Sequence, residues 1–141
     1  VQTCALPIYN QGLLTKAGAG LDSLESLAGK KIGVQQATTG ETFAKDNELD
    51  TLQYEDLGLQ VQALKNGDVD GIINDIAVLG PYMSDEYVVG AEFSTGEQYG
   101  LGVKKGNTAL LDAVDATIAR IQSDGTYATI YATYIGAPSS K

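Results

Sequence analysis

The sequence has 141 residues, 43% of them apolar and 19% charged, which suits one sizeable core and is too apolar for a disordered tail. Nine basic residues are scattered among eighteen acidic ones, so the net charge of −9 offers no basic footprint for nucleic acid. One cysteine (Cys4) and no histidine exclude a disulfide framework, His-based acid–base or triad catalysis, and any zinc site with ligands other than carboxylates.

The first eight residues, Val1-Gln-Thr-Cys-Ala-Leu-Pro-Ile8, resemble the conceptual translation of a short-read sequencing adapter. Residues 1–8 are therefore expected to be an assembly artefact, which would leave Cys4 silent about redox compartment. The competing reading is an edge strand closed by Pro7. Residues 12–16 form a short strand candidate. Asp22-Ser-Leu-Glu25 has capping-box spacing and predicts a short helix ending at Gly29. Residues 31–35 read as a strand, 36–40 as a polar loop, 41–46 as a helix and 52–55 as a strand. Leu57, Val61 and Leu64 predict a helix over 57–66, stopped by Asn66-Gly67. Residues 69–74 form a buried-looking strand, followed by Asp75 and a short helix up to Pro81. Separate strands are expected at 87–89 and 99–103. The stripe Leu111, Val114, Ile118 and Ile121 predicts a helix over 108–122, and a last amphipathic helix covers 126–134.

Strands alternating with helices argue for an α/β fold with a mainly parallel sheet, in which ligands bind beyond the carboxyl ends of strands. Two such ends carry suggestive groups. Gln35 leads into Thr38 and Thr39 at the head of a helix, where hydroxyls and backbone N–H groups can hold a carboxylate. Asn74 and Asp75 end another strand with an amide and a carboxylate suited to an ammonium group. The plain alternative for Thr38 and Asp75 is helix capping. Asn66-Gly-Asp-Val-Asp-Gly71 starts like a calcium loop, but the twelfth position is Ala77, so no calcium is expected. Gly18-Ala-Gly20 lacks the third glycine of a dinucleotide loop. No metal and no cofactor are expected. The longest apolar runs are far too short for a membrane span.

Five segments in order carry a family resemblance. They are Leu24-Glu-Ser-Leu-Ala-Gly-Lys-Lys-Ile-Gly-Val-Gln35, Ala37-Thr-Thr-Gly-Glu41, Ala63-Leu-Lys-Asn-Gly-Asp-Val-Asp-Gly-Ile-Ile-Asn-Asp75, Gln98-Tyr-Gly-Leu-Gly-Val-Lys-Lys-Gly106 and Asp124-Gly-Thr-Tyr127 with Ile130-Tyr131. From Tyr9 to Gly136 the chain resembles the type II periplasmic solute-binding proteins for polar amino acids, with Ala37 in place of that family's usual glycine. The resemblance implies two α/β lobes joined by crossing strands and closing on ligand. Residues 9–16 would be the first crossing strand, 17–96 the second lobe, and 97–141 the return crossing with C-terminal helices of an incomplete first lobe. It further implies that Asp75 accepts the ligand ammonium, that Thr38 and Thr39 help hold the carboxylate, and that Gln35 and Asn74 contact the side chain.

On the same resemblance the protein is a non-catalytic receptor, periplasmic or extracellular and free or lipid-anchored, that delivers an amino acid to an ABC transporter permease. The neutral amides favour a polar uncharged or acidic ligand. The family's carboxylate-clamping arginine would lie upstream of Tyr9, so this chain is expected to lack the N-terminal third or more and to bind poorly, by about 2–5 kcal/mol. The stripe on residues 108–122 would then be partly exposed. The rivals are enzymes on the same lobe pattern, a dehydratase or a transglycosylase-associated domain, and a ligand-sensing module of a receptor.

Overall fold

Strands of 5 to 17 residues build the sheet, with successive side chains going to opposite faces. The computed structural model describes residues 2–134. Its strands are β1 (Gln2–Lys16), β2 (Lys31–Gln35), β3 (Asp50–Tyr54), β4 (Gly71–Asp75) and β5 (Tyr87–Val103), in the order β3-β2-β4-β1-β5. The strand β2 runs parallel to both β3 and β4, while β1 is antiparallel to β4, with Gln11 opposite Asp75. The α/β class is as expected, its parallel character residing in the β3–β2–β4 half.

The chain divides into two compact units. In the unit formed by residues 10–95, Leu14, Val61, Leu64, Val69, Ile72 and Leu79 pack on one face of the sheet. Leu13, Leu21, Leu27, Ile32, Val34, Ala44 and Ile73 pack on the other. Adjacent residues thus serve opposite cores, Leu13 against Leu14 and Ile72 against Ile73. A strand covered on both faces reads as a continuous apolar run, which is why β4 looks buried in the sequence.

The helices α1 (Thr39–Asp46) and α2 (Leu57–Asn66) are capped by the side chains of Thr38 and Asp56. Gly67 ends α2 at φ 82°, the left-handed turn that Asn66-Gly67 signals. A four-residue helix α3 (Ile76–Leu79) runs into a 3-10 turn at Gly80–Tyr82. The second unit comprises the described parts of residues 1–9 and 96–141. It contains α4 (Thr108–Ser123), capped by Asn107, and α5 (Thr126–Tyr134), and these two pack together. Ile118 is buried, and Leu111, Val114 and Ile121 are half-buried along the same stripe.

The first strand begins at Gln2 rather than residue 12, β3 and β4 are displaced by one or two residues at their ends, and three further expectations change. The box Asp22…Glu25 does not form: Ser26 Oγ accepts from the amides of Asp22 and Ser23, and only a 3-10 turn, Glu25–Leu27, follows. The strands expected at 87–89 and 99–103 are one continuous strand, β5. Helix α1 starts at Thr39 rather than residue 41 because Thr38, not the loop after it, is the cap. Among the described residues no helix is long and apolar enough to cross a membrane, and no group of three or more carboxylate, Cys or His residues could hold a metal ion.

Candidate functional site

Parallel pairing brings the carboxyl ends of β2 and β4 to one edge of the 10–95 unit, beside the start of α1. Gln35 ends β2, Asn74 and Asp75 end β4, and Thr38 and Thr39 begin α1, so all five expected residues fall at this edge. Gln35, Thr38, Asn74 and Asp75 are half-buried, and Thr39 is exposed.

Asp75 precedes α3 but makes no capping hydrogen bond to it. Its carboxylate instead accepts from Gln11 Nε2 at 2.7 Å. That amide also reaches Thr39 Oγ1 at 3.4 Å, so Gln11 links the carboxylate to the head of α1. Gln11 itself is almost wholly buried, at 1% exposure. The sequence marks residues 12–16 as a strand candidate and 9–16 as a crossing, with no sign that Gln11 serves the site. The antiparallel register that sets Gln11 opposite Asp75 is a long-range pairing with no local signature.

The hydroxyl of Thr38 is committed to the fold. It accepts from Glu41 N at 3.2 Å and donates to the Gln35 carbonyl at 2.7 Å. Glu41 reaches back to Ala37 N at 2.8 Å, forming a box around the turn. Ala37 sits at φ 59°, left-handed backbone that costs a residue with Cβ about 1 kcal/mol and that glycine adopts freely. Glu41 is buried and bonded to Lys45 and Gln53. The Lys45 ammonium, with the Ala37 amide, holds its carboxyl below the usual glutamate range. The N–H groups of Thr39 and Gly40 occupy the first turn of α1, where they have no intrahelical acceptor and carry the positive end of the helix dipole.

A second buried amide also escaped the sequence reading. Gln60, at 0% exposure, projects from α2 and bonds Asn74, Gly33 and Ile73. A signal was available, because Gln60 stands three residues after Leu57 and four before Leu64, on the apolar stripe. A polar residue there must find partners inside the protein.

The edge therefore combines a half-buried carboxylate, a hydroxyl, helix-start N–H donors and two side-chain amides. Such a set can hold an ammonium and a carboxylate on one small molecule.

Residues 9–137 match the profile of the family described as bacterial extracellular solute-binding proteins, family 3. The ABC transporter glutamine-binding protein GlnH of Bacillus subtilis is 34% identical over 131 residues, covering 89% of this chain and 48% of the relative. The L-cystine-binding protein TcyJ of Escherichia coli K12 is 32% identical over 137 residues, covering 93% and 52%. A solved ancestral arginine-binding protein bound to arginine superposes with a TM-score of 0.71 at 32% identity, over 96% of this chain and 65% of the other. The chain thus spans about half the length of the curated relatives it matches.

Proposed function

Because this chain belongs to the bacterial extracellular solute-binding proteins of family 3, we propose that it captures an amino acid outside the cytoplasm, without catalysis, for delivery to an ABC importer. The observation that carries this reading is the Asp75 carboxylate, left uncapping before α3 and steadied by buried Gln11 beside the start of α1. In this reading Asp75 takes the ligand ammonium. The carboxylate end meets the N–H groups of Thr39 and Gly40, with the Thr39 hydroxyl beside them. Thr38 contributes by shaping the turn, its hydroxyl being engaged by Glu41 N and the Gln35 carbonyl. In this reading residues 9–16 are the first crossing strand, 17–96 the second lobe, and 97–141 the return crossing with the C-terminal part of the first lobe. The protein works in the periplasm or at the cell surface, free or lipid-anchored.

Gln35 and Asn74 are neutral, hydrogen-bonding groups, and with them the ligand side chain is polar and uncharged or acidic. The relatives named above are called glutamine-, cystine- and arginine-binding, so a cationic side chain is the competing outcome. Calorimetric or NMR titration of the 141-residue chain with L-glutamine, L-glutamate, L-cystine and L-arginine decides between them. Glutamine or glutamate is expected to bind at least about tenfold more tightly than arginine, about 1.4 kcal/mol. Tighter arginine binding would reverse the side-chain preference. No binding of any of the four at millimolar concentration would remove the amino-acid reading.

A further inference from the structure

Buried Gln60 lies outside the set of groups that would face a ligand, yet its bonds have a direction that propagates to two of them. Its Nε2 donates to the Gly33 carbonyl at 3.0 Å and to the Ile73 carbonyl at 3.2 Å, on the neighbouring strands β2 and β4. Backbone carbonyls only accept, so both hydrogens of this amino group are committed and its orientation is fixed by chemistry. The Gln60 oxygen must then face Asn74, and it accepts from Asn74 Nδ2 at 2.8 Å.

Asn74 inherits that direction. Its Oδ1 accepts from Asp75 N at 2.9 Å, and its amino group also reaches Gln35 Oε1 at 3.3 Å. Gln35 in turn donates through Nε2 to the Glu55 carbonyl at 3.2 Å. A flip of either outer amide would set donor against donor or oxygen against oxygen, and in a low-dielectric interior such mismatches are costly.

We propose that Gln60 is a positioning residue which, through its two backbone carbonyl contacts, fixes the amide polarity of Asn74 and Gln35 and so sets which ligand side chains the site accepts. The inference rests on the reading that Asn74 and Gln35 line an amino-acid site. With Gln60 in place, Asn74 cannot turn its amide to suit a ligand of opposite polarity. The site therefore discriminates between an amide and a carboxylate side chain by a fixed pattern of donors and acceptors. Without Gln60, Asp75 N and the Glu55 carbonyl still favour the same directions, but Asn74 Nδ2 loses an acceptor, the two amides are held less firmly and the discrimination relaxes.

The test has two parts. In the unmodified chain, the side-chain amide protons of Gln60 should exchange with solvent far more slowly than those of Gln62, which lies exposed on the same helix. Equally fast exchange overturns the proposal without any variant having to fold. The second part uses Gln60→Met, which keeps an unbranched side chain of similar volume and removes the amide. The Asn74 and Gln35 side-chain amide signals should shift and exchange faster, while the backbone amides of β2 and β4 keep their protection. The ratio of glutamine to glutamate affinity should move by about tenfold toward equality. A uniform loss of affinity with the ratio kept, or unmoved Asn74 signals, overturns the proposal. If the unmodified chain binds neither amino acid, the site reading falls and takes the specificity role with it. The exchange data then report separately on the hydrogen-bond chain.

Discussion

Asp75→Asn is expected to weaken binding of an α-amino acid by at least about 30-fold, roughly 2 kcal/mol, measured by titration against the unmodified chain. The figure is the low end of the range for breaking a charge pair, because Asp75 is half-buried and solvent softens the loss. Asparagine keeps the shape and can still bond Gln11, so the fold should hold while the ammonium loses its counter-charge. The informative control is an N-acetylated amino acid, which has no ammonium. It should bind the unmodified chain weakly and should lose little or nothing in the variant. Equal affinity of the two chains for the free amino acid would show that the ammonium sits elsewhere.

Gly90→Ala should be the most damaging single methyl added to the 10–95 unit. A Cβ at Gly90 would clash with the Leu21 carbonyl oxygen and lie 3.0 Å from Thr15 Cγ2. The first neighbour is backbone, and the Leu21 side chain is itself held in the core at 5% exposure, so neither can swing away. The backbone of β5 or of the segment at Leu21 must shift instead. Overpacking of this kind costs about 1–3 kcal/mol. That corresponds to a fall in Tm of roughly 3–10 °C for a chain of this size. An unchanged Tm would mean that β5 does not approach Leu21 this closely.

Elements set by neighbouring residues are legible in the sequence. Strand β2 at Lys31–Gln35, helix α2 at Leu57–Asn66 and helix α5 at Thr126–Tyr134 have the bounds expected from apolar periodicity and turn residues. The five candidate site residues gather at one edge because β2 and β4 pair in parallel, which alternation of strands and helices implies. What escaped depends on contacts between distant residues. Gln11 meets Asp75 across 64 positions, and Gln60 meets the Gly33 carbonyl across 27. Neither partner is written in the sequence, although the place of Gln60 on the apolar stripe of α2 marks it as a polar group that needs one. Strand β5 reads as two pieces in the sequence because exposed Glu92 and Gly96 interrupt its apolar pattern, although the strand is continuous from Tyr87 to Val103. The sequence fits Thr38 to either a ligand contact or a cap, and its hydroxyl accepts from Glu41 N and donates to the Gln35 carbonyl.

Backbone amide signals followed during titration with L-glutamine show whether a ligand's ammonium and carboxylate lie between Asp75 and the head of α1. Saturable shifts are expected at Thr39, Gly40, Asn74 and Asp75 and at the Gln11 side-chain amide, even at millimolar affinity, about 4 kcal/mol. Saturable shifts centred elsewhere in residues 10–95, with these positions unmoved, would contradict that placement.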